Sequence, residues 1–330
     1  MAANPFRCGP PVAGAHLAGR QGERQILCGI IERGRSTILL TGSRGFGKTS
    51  LAVAVTDQLS ARGHHVVYVD TLRPVWGGTI AEQMEGTAGT PPALLVLDEV
   101  QSLVGSSRDL DTELVDLRRR LPDLSILMVG ITGPAVCGRL ADLATRPPGR
   151  YLQLRVGVIP SSTMVRFLRG RAKVGGKPMG TAAAELVVEL GHAVPQHVQR
   201  LAHASFERAK AEITQKAVED AVRDVASQHA PHYADCLRSL APGHRRVLQV
   251  LRGGPLVHPR SAAFVEATGY ANPAAARKSL QTLECLGLVA QDGHTFWIAD
   301  PFLACWLDSG TARIGRSVSG KRLERERIPL

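Results

Sequence analysis

Short, continuous runs of apolar residues punctuate the first half of the chain, and each run ends in glycine or polar residues. These runs occupy residues 37–41, 65–70, 93–99 and 125–130, and residues 151–155, where apolar and polar residues alternate, add a fifth candidate strand. Uninterrupted apolar runs of this length are typical of parallel strands that are buried on both faces of a sheet. The pattern therefore predicts a parallel sheet in which these runs are the strands.

Helical periodicity fills the intervals between the runs. After the first run, Leu51, Val55 and Leu59 recur at the spacing of one helix face, and residues 109–121 repeat this pattern with leucines. Before the first run, Ile26 and its neighbouring isoleucines mark a further apolar helix face. Strands that alternate with helices in this way predict an α/β core.

A series of helices follows this core. Apolar periodicity and end signals predict helices at 162–171, 181–190, 195–210 and 214–227, the last with Thr214 as its N-cap. A helical bundle in this position is able to act as a lid over a nucleotide. The break at residues 191–196 either approaches a bound adenine or is a plain turn between helices, and both interpretations remain open.

Residues 233–307 predict three short helices followed by a hairpin. The helices are expected at 244–252, 260–268 and 272–286, and a hairpin is expected around the Asp292-Gly293-His294 turn. This order predicts a winged helix-turn-helix. Arg277, Lys278 and Gln281 lie on the exposed side of the third helix, where a DNA reader carries such residues. Winged helices also pack against proteins, so duplex DNA and a protein partner both remain open.

These patterns divide the chain into four segments. We expect an α/β core with an N-terminal approach segment over 1–160, a helical lid over 161–232, a winged helix over 233–307 and a basic tail over 308–330. The tail is either an arm that contacts phosphates or a solubilising extension.

The candidate chemistry centres on the turn after the first predicted strand, which fits the phosphate-binding pattern G-x-x-x-x-G-K-[ST]. Glycines let the backbone curl so that successive N–H groups face one set of phosphate oxygens, and the following helix points its positive end at the same anion. Lys48 is expected to reach the β- and γ-phosphates, and the Thr49 hydroxyl is an expected ligand of Mg²⁺. The predicted contacts to ATP in this stretch are Gly42, Ser43, Arg44, Gly45, Phe46, Gly47, Lys48, Thr49 and Ser50.

Two acidic residues stand at the carboxyl end of the third predicted strand, where α/β sheets build their sites. Asp98 is expected to share the Mg²⁺ ion with Thr49. Glu99 is expected to orient and polarise the attacking water. The candidate catalytic residues are therefore Glu99, Asp98 and Lys48.

Other polar residues are candidates for finer roles. Arg20 either lines the adenine or ribose side of the nucleotide or forms a surface pair with Glu23. Thr132, after the fourth strand, is a sensor candidate for the γ-phosphate, although a simple turn explains it nearly as well. Arg146 and Arg150 are candidates for an arginine finger, with surface charge as the alternative.

Composition narrows the class of protein. The net charge of +11 and the pI near 9.8 favour acidic partners, nucleic acid among them. The three arginines at 118–120 could face a neighbouring subunit or nucleic acid, but a solvated helix face is the favoured interpretation. The cysteines form no C-x-x-C pair and the histidines no metal spacing, which argues against a disulfide framework or a zinc site. No apolar run is long enough to span a bilayer, so we expect a cytoplasmic protein without a membrane partner.

Taken together, these motifs resemble the archaeal-type P-loop ATPases, on the STAND side of the AAA+ relatives, with the layout of origin-recognition-type ATPases. The resemblance covers nearly all of residues 4–307. It rests on Asn4-Pro5-Phe6, Gly9, Pro11-Val12, Arg20 with Glu23, Arg44 with Phe46, Gly47-Lys48-Thr49-Ser50-Leu51, Leu97-Asp98-Glu99-Val100-Gln101, Gly191 with Pro195 and Gln199, Asp300-Pro301-Phe302 and Trp306-Leu307.

The resemblance implies a P-loop NTPase of the α/β class, with a five-stranded parallel sheet of order 5-1-4-3-2, a helical lid and a C-terminal winged helix-turn-helix. It also implies ATP and Mg²⁺ as cofactors, with slow hydrolysis that resets a switch. By its position in the lid motif, Pro195 is implied to lie near the adenine.

Three functions are compatible with these features. The favoured one is a molecular switch that binds and hydrolyses Mg-ATP and couples the nucleotide state to the position of the winged helix. The second is a DNA-binding regulator in which ATP is mainly structural, and the third is a signalling scaffold that forms homo-oligomers when it binds ATP. The Asp98-Glu99 pair favours turnover, whereas the basic third helix and tail favour DNA binding.

Overall fold

The structure is a computed structural model, and it describes residues 3–72, 93–103, 110–131 and 150–309. Two of the sequence candidates, Thr132 and Arg146, lie outside the described residues. The predicted basic tail also lies outside them from residue 310 onward.

A five-stranded parallel sheet forms the centre of the first part of the chain. Its strands are β1 (Ser36–Gly42), β2 (Val66–Asp70), β3 (Leu94–Asp98), β4 (Ser125–Ile131) and β5 (Arg150–Arg155). Their spatial order is β5-β1-β4-β3-β2, which confirms the predicted order 5-1-4-3-2. The chain passes from β1 to β2 at one edge of the sheet, whereas from β4, the neighbour of β1, it passes to β5 on the other side of β1. The carboxyl end of β1 is therefore where a ligand site is expected.

Helices on both faces account for the long apolar runs of the strands. They are α1 (Gln21–Glu32), α2 (Lys48–Ala61) and α3 (Leu110–Arg120). Helices α1 and α2 share one apolar cluster with Ile38, and α3 shares another with Leu39. Ile38 and Leu39 are neighbours in β1 that point to opposite faces, since side chains alternate along a strand. Both are fully buried, so both faces of β1 are covered at this point of the strand.

Two side chains differ from the sequence expectation. Ile26 is 55% exposed, because α1 turns Leu27 and Ile31 toward the sheet instead. Arg118, expected on a solvated face, is buried, and its Nη2 donates a hydrogen bond of 2.9 Å to the Thr37 hydroxyl. The long guanidinium therefore reaches the start of β1, and only the remainder of the arginine run faces water.

The helical region that follows the sheet matches its prediction closely. Its helices are α4 (Ser161–Val174), α5 (Thr181–Leu190), α6 (Pro195–Arg208) and α7 (Gln215–Gln228). Thr214 caps α7 as predicted, with its hydroxyl accepting a hydrogen bond of 3.2 Å from the Ala217 N–H. A shared apolar core holds these helices together, including Leu168, Val187 and Leu201.

One helix is not predicted by the sequence pattern. This helix, α8 (Ala230–Ser239), follows α7 and spans the expected boundary between residues 232 and 233. Its Tyr233 is buried, and the phenol donates a hydrogen bond of 2.9 Å to Asp300 Oδ2. The expected boundary at residue 232 therefore falls inside a helix that ties the two regions together.

The last region contains three helices, a hairpin and a closing helix. These are α9 (Pro242–Leu251), α10 (Ala262–Thr268), α11 (Pro273–Cys285), β6 (Val289–Asp292), β7 (Thr295–Ile298) and α12 (Pro301–Asp308). Asn272 caps α11, as predicted, by accepting a hydrogen bond of 2.9 Å from the Ala275 N–H. Residues 242–308 are called the C-terminal unit below. Within the described residues, no helix has the length and apolar character needed to cross a bilayer.

The β6–β7 hairpin packs against the sheet instead of projecting away from it. Ala290 and Trp297 of the hairpin belong to the same apolar cluster as Phe46, which follows β1, and Leu40 within β1. The C-terminal unit therefore covers the edge of the sheet at which the strands end.

Candidate nucleotide-binding site

The turn between β1 and α2, called the glycine loop (residues 42–49), has the backbone that its sequence predicts. Gly45 adopts a φ of +85°, in a region that side chains disfavour. A Cβ on Gly42 would lie 2.5 Å from the Val156 carbonyl oxygen, so the close approach of these two segments requires glycine. Helix α2 begins at Lys48, and its amino end therefore points at the concave side of the loop.

Lys48 is buried and faces the inside of the loop. Its ammonium donates a hydrogen bond of 3.0 Å to the Ser43 carbonyl. Burial lowers the pKa of Lys48 to about 8, against the opposing effect of the nearby Glu99 and Asp98 carboxylates. A cation held in a largely dry site is attracted to an anion far more strongly than one in water.

Asp98 lies at the end of β3, beside Thr49 at the start of α2. The Thr49 hydroxyl is 3.4 Å from Asp98 Oδ1, and the Tyr68 phenol donates a hydrogen bond of 2.7 Å to Asp98 Oδ2. Burial raises the pKa of Asp98, although the hydrogen bonds from Tyr68 and Thr49 partly oppose that shift. A carboxylate beside a hydroxyl is an oxygen donor set that suits a hard cation such as Mg²⁺. No cluster of three or more His, Cys, Asp or Glu side chains with metal-ligand geometry occurs among the described residues.

Glu99 follows Asp98 with an unusual backbone. Its φ is +57°, in the left-handed region, and its carbonyl accepts a hydrogen bond of 2.8 Å from the Thr71 hydroxyl. The bend turns the Glu99 side chain into the same cavity as Lys48. Gln101, in the short 3₁₀ turn Val100–Ser102, donates a hydrogen bond to the Glu99 carboxylate.

The described residues line a cavity of about 460 Å³ around the glycine loop. Parts of the chain that are far apart in sequence form its walls. They are the N-terminal strap (residues 4–18), the glycine loop, the end of β3, the start of α6 and the end of α11. A cavity of this volume falls in the range of small-molecule and cofactor sites.

The N-terminal strap is fixed by hydrogen bonds to the core and to the lid. The Val12 N–H donates a hydrogen bond of 3.1 Å to the Ser50 hydroxyl. Gln199 of α6 bridges the strap, accepting from the Arg7 N–H at 3.3 Å and donating to the His16 carbonyl at 2.9 Å. The strap therefore closes one side of the cavity as part of the fold.

Arg20 holds the loop and is nearly fully buried. Its Nη2 donates a hydrogen bond of 3.2 Å to the Phe46 carbonyl and another to the Gly157 carbonyl, and its Nη1 pairs with Glu23 at 2.8 Å. The pair with Glu23 is thus present, but it is not a surface pair. Arg20 lies on the wall of the cavity with most of its donors already used.

The helical region that follows the sheet contacts the glycine loop directly. The Gln196 N–H donates a hydrogen bond of 3.2 Å to the Gly45 carbonyl, and a Cβ on Gly45 would lie 2.9 Å from Gln196 Oε1. Pro195, at the start of α6, lines the cavity beside these atoms. The break before α6 therefore lies against the glycine loop, and its approach to a bound adenine stays a prediction.

The C-terminal unit supplies contacts that the sequence does not indicate. The Ser43 hydroxyl donates a hydrogen bond of 3.0 Å to the Gln291 carbonyl. A Cβ on Gly287 would lie 3.5 Å from Arg44 Cδ, so the end of α11 lies against the loop. Glu284 lines the cavity, and burial raises its pKa to about 7, with Arg155 opposing the shift.

Several sequence candidates lie away from this cavity. Arg150 is exposed and pairs in register with Ser36, at the end of the sheet opposite to the glycine loop. Arg277 and Lys278 are exposed on α11, and Gln281 is half-buried there, whereas Leu280 and Leu283 bury the other side of that helix. The cavity is therefore formed without Arg150 and without the exposed face of α11.

The likeness to known proteins agrees with this geometry. Residues 38–133 match the family model described as "ATPase family associated with various cellular activities (AAA)". No curated protein matches the chain at a significant level. Among solved structures, the Walker-type ATPase of Pyrococcus abyssi aligns with a TM-score of 0.65 and 16% identity, covering 92% of this chain and 99% of that one.

Two proteins of Aeropyrum pernix share the fold as well. The ORC2 protein, in ADPNP–ADP complexes, has a TM-score of 0.53 and 16% identity, covering 92% of this chain and 95% of that one. The ORC1 protein in complex with DNA has a TM-score of 0.52 and 16% identity, covering 91% and 94%. Likeness at this level of identity shows a shared fold. The chain therefore contains a domain of the AAA ATPase family, matched over residues 38–133.

Proposed function

We propose that this protein binds and hydrolyses Mg-ATP and works as a switch whose C-terminal unit responds to the nucleotide. The observation that carries the proposal is that Lys48, Thr49 and Glu99 line one cavity at the carboxyl ends of β1 and β3, with Asp98 beside the Thr49 hydroxyl. A glycine loop alone supports phosphate binding. The added carboxylates support turnover.

Each of these side chains has a role that follows from its chemistry. Lys48 and the loop N–H groups bind the β- and γ-phosphates. Thr49 and Asp98 would hold Mg²⁺, which would supply positive charge to the phosphate oxygens. Glu99 accepts a proton from water while the water oxygen bonds to the γ-phosphorus and the bond to the bridging oxygen breaks. ADP and inorganic phosphate are the products, and we infer that this hydrolysis is slow and resets the switch.

The remaining contacts to ATP follow the walls of the cavity. The backbone and side chains of Ser43, Arg44 and Ser50 continue the phosphate site along the loop. Pro195, at the lid side, and Arg20, at the strap side, border the space for adenine and ribose. With its guanidinium engaged by Phe46 and Glu23, Arg20 acts by shaping this wall.

The contacts of the C-terminal unit support the coupling step. Ser43 in the glycine loop is bonded to Gln291 in the hairpin, and Phe46 shares an apolar cluster with Trp297. A ligand shifts a conformational equilibrium only through contacts that differ between the two states. The loop would contact both the phosphates and the hairpin. It is therefore the element through which the nucleotide would shift the C-terminal unit between its positions.

A second candidate function is duplex DNA binding by a C-terminal winged helix, with ATP in a mainly structural role. The exposure of Arg277 and Lys278 on α11, with Gln281 beside them, favours this candidate. The solved structure of ORC1 with DNA, which shares the fold, adds to it. A third candidate is a scaffold that forms homo-oligomers when it binds ATP. It is supported only by exposed arginines such as Arg150, which are candidates for an arginine finger.

The test is ATP binding and hydrolysis by three purified variants. Lys48→Ala should abolish ATP binding, and Glu99→Gln should retain ATP binding but stall hydrolysis. Lys173→Ala, an exposed lysine on α4, is the matched control and should behave as the wild type. Wild-type ATP affinity in Lys48→Ala would contradict the site. Light scattering with and without ATP reports whether oligomers form.

A further inference from the structure

A glutamine beside the candidate base is hydrogen-bonded at both ends of its amide. Gln101 Nε2 donates a hydrogen bond to Glu99 Oε2, and Gln101 Oε1 accepts a hydrogen bond of 3.3 Å from the Ile131 N–H. Gln101, Glu99 and Ile131 all line the nucleotide cavity. The amide therefore bridges the carboxylate at the end of β3 and the backbone at the end of β4.

The chemistry of these partners fixes the orientation of the amide. The Ile131 N–H is a donor only, so it requires the amide oxygen of Gln101. The amide nitrogen must then face Glu99, and an ionised carboxylate is an acceptor only. A flipped amide would oppose donor to donor and acceptor to acceptor, so Gln101 has one favourable orientation.

The bridge also ties Glu99 to the glycine loop. Ile131 is the last residue of β4, and it pairs in register with Gly42, the first residue of the loop. Gln101 thus sets the position of the Glu99 carboxylate relative to the strand that leads into the phosphate site. The other carboxylate oxygen, Oε1, receives no hydrogen bond from the described residues, which leaves it to accept a proton.

We propose that Gln101 is the positioning residue for Glu99: it holds Oε2 from the side of β4 so that Oε1 faces the attacking water. This inference rests on the proposed ATPase function and adds a residue to it. A carboxylate on a freely rotating side chain samples several rotamers, and one anchored oxygen selects among them.

A purely architectural role for Gln101 is the competing explanation. The turn itself is held by other groups, because the Thr71 hydroxyl bonds the Asp98 carbonyl at 2.8 Å and lies 2.7 Å from the Ser102 hydroxyl. Two substitutions separate the roles. Gln101→Ala removes both ends of the bridge. Gln101→Glu keeps an acceptor for the Ile131 N–H but removes the donor to Glu99, so it keeps the architecture and loses the positioning.

The experiment measures steady-state ATP hydrolysis together with equilibrium binding of a fluorescent ATP analogue. Both Gln101 variants should lose about 10- to 100-fold in kcat, the scale expected when a reacting group is misplaced. The affinity of Gln101→Ala for the analogue should stay within about twofold of the wild type, because this change adds no charge to the cavity. Gln101→Glu adds a carboxylate and should bind the analogue more weakly, so its kcat is measured at saturating ATP.

Two controls make the result specific. Ser102→Ala alters the same turn without touching Glu99, and it should keep kcat within about twofold of the wild type. Adding Gln101→Ala to Glu99→Gln should change the residual rate by less than about twofold, because the carboxylate to be positioned is gone. A further tenfold loss in this double variant would show that Gln101 acts independently of Glu99 and would overturn the inference.

The failure of this inference is distinguishable from failure of the ATPase assignment. If Glu99→Gln stalls hydrolysis while Gln101→Glu turns over like the wild type, the inference alone is wrong. If Gln101→Ala hydrolyses ATP slowly but Gln101→Glu hydrolyses it at the wild-type rate, Gln101 only stabilises the turn and does not position Glu99. If the wild type does not hydrolyse ATP, both proposals are wrong.

Discussion

The hydroxyl of Ser43 donates a hydrogen bond of 3.0 Å to the backbone carbonyl of Gln291. The two residues lie in the glycine loop and in the β6–β7 hairpin, which are separated by most of the chain. The acceptor is a backbone atom, so the contact does not depend on the side chain of Gln291. It requires only the Ser43 hydroxyl and the observed position of the hairpin. The proposed phosphate site and the C-terminal unit therefore share one polar contact that mutation can remove.

Ser43→Ala removes the donor and leaves the Gln291 carbonyl without this partner. We expect the hairpin to open more often, and amide hydrogens over residues 289–298 to exchange about fivefold faster, since one hydrogen bond is worth about 1 kcal/mol. Hydrogen–deuterium exchange without nucleotide measures the change. Ser60→Ala, an exposed serine on α2, is the control. Equal exchange in both variants would mean that the contact does not hold the hairpin.

Glu284 makes ATP binding dependent on pH. Burial raises its pKa to about 7, so its carboxylate is charged at pH 8 and largely neutral at pH 6. The charged form repels a polyphosphate in the same cavity, and ATP should bind more tightly as the pH is lowered. Lys48 acts in the same direction, because its pKa is lowered to about 8 and it loses its charge above that pH.

Glu284→Gln separates the two contributions. At pH 8 it should bind a fluorescent ATP analogue about three- to tenfold more tightly than the wild type. This is the effect expected when one negative charge is removed from a site that solvent and salt partly screen. At pH 6 the two proteins should differ little. Glu189→Gln, an exposed residue on α5, is the control, and the titration of ATP itself cancels in the comparison. A constant ratio between pH 6 and pH 8 would contradict the role of Glu284.

Sequence patterns predicted the sheet and the glycine loop because both depend on local rules. Strands buried on both faces need continuous apolar runs, and a loop that wraps phosphate needs glycine where a Cβ would collide, as at Gly42 against Val156. The order of the strands needed more than local rules. It was predicted from the resemblance to a known family, and the structure confirms it.

The contacts of Gln101 and Glu284 could not be predicted in the same way. Gln101 reaches a Glu99 whose backbone has a φ of +57°. No sequence pattern predicts that a glutamate adopts this left-handed backbone conformation. Glu284 sits on an ordinary amphipathic helix, and it faces the cavity only because the C-terminal unit docks there. The solvated position expected for Arg118 was wrong for a related reason, since its long side chain reaches buried acceptors that are distant in sequence.

The N-terminal strap should contribute to both stability and ATP affinity. Phe6 is 1% exposed and packs edge-on against Phe206 of α6, with ring centroids 6.2 Å apart. Phe6→Ala should destabilise the protein by about 3–4 kcal/mol, as truncation of a buried aromatic does. It should also weaken ATP binding, because the strap forms one wall of the cavity.

Urea unfolding and ATP titration of Phe6→Ala check these two effects. Ile26→Ala is the control, because Ile26 is an apolar residue that is 55% exposed, and its truncation should cost below about 1 kcal/mol. If Phe6→Ala loses stability but keeps wild-type ATP affinity, the strap anchors the lid without belonging to the site.

The exposed side of α11 allows a direct test of DNA binding. Arg277 and Lys278 are both exposed there, and phosphate contacts by such residues release counterions from the duplex. If they bind phosphates, the double variant Arg277→Ala/Lys278→Ala should bind duplex DNA more weakly. The slope of log affinity against log salt should also become shallower by about one for each DNA phosphate that the variant no longer neutralises.

The matched control is Arg166→Ala/Arg169→Ala, which removes two exposed arginines from α4 and the same net charge. Equal slopes in the two double variants would assign the binding to overall charge, because the position of the removed cations would then make no difference. Unchanged DNA affinity in the α11 variant would exclude these two residues from the interface, and the nucleotide switch would remain without a DNA-reading helix.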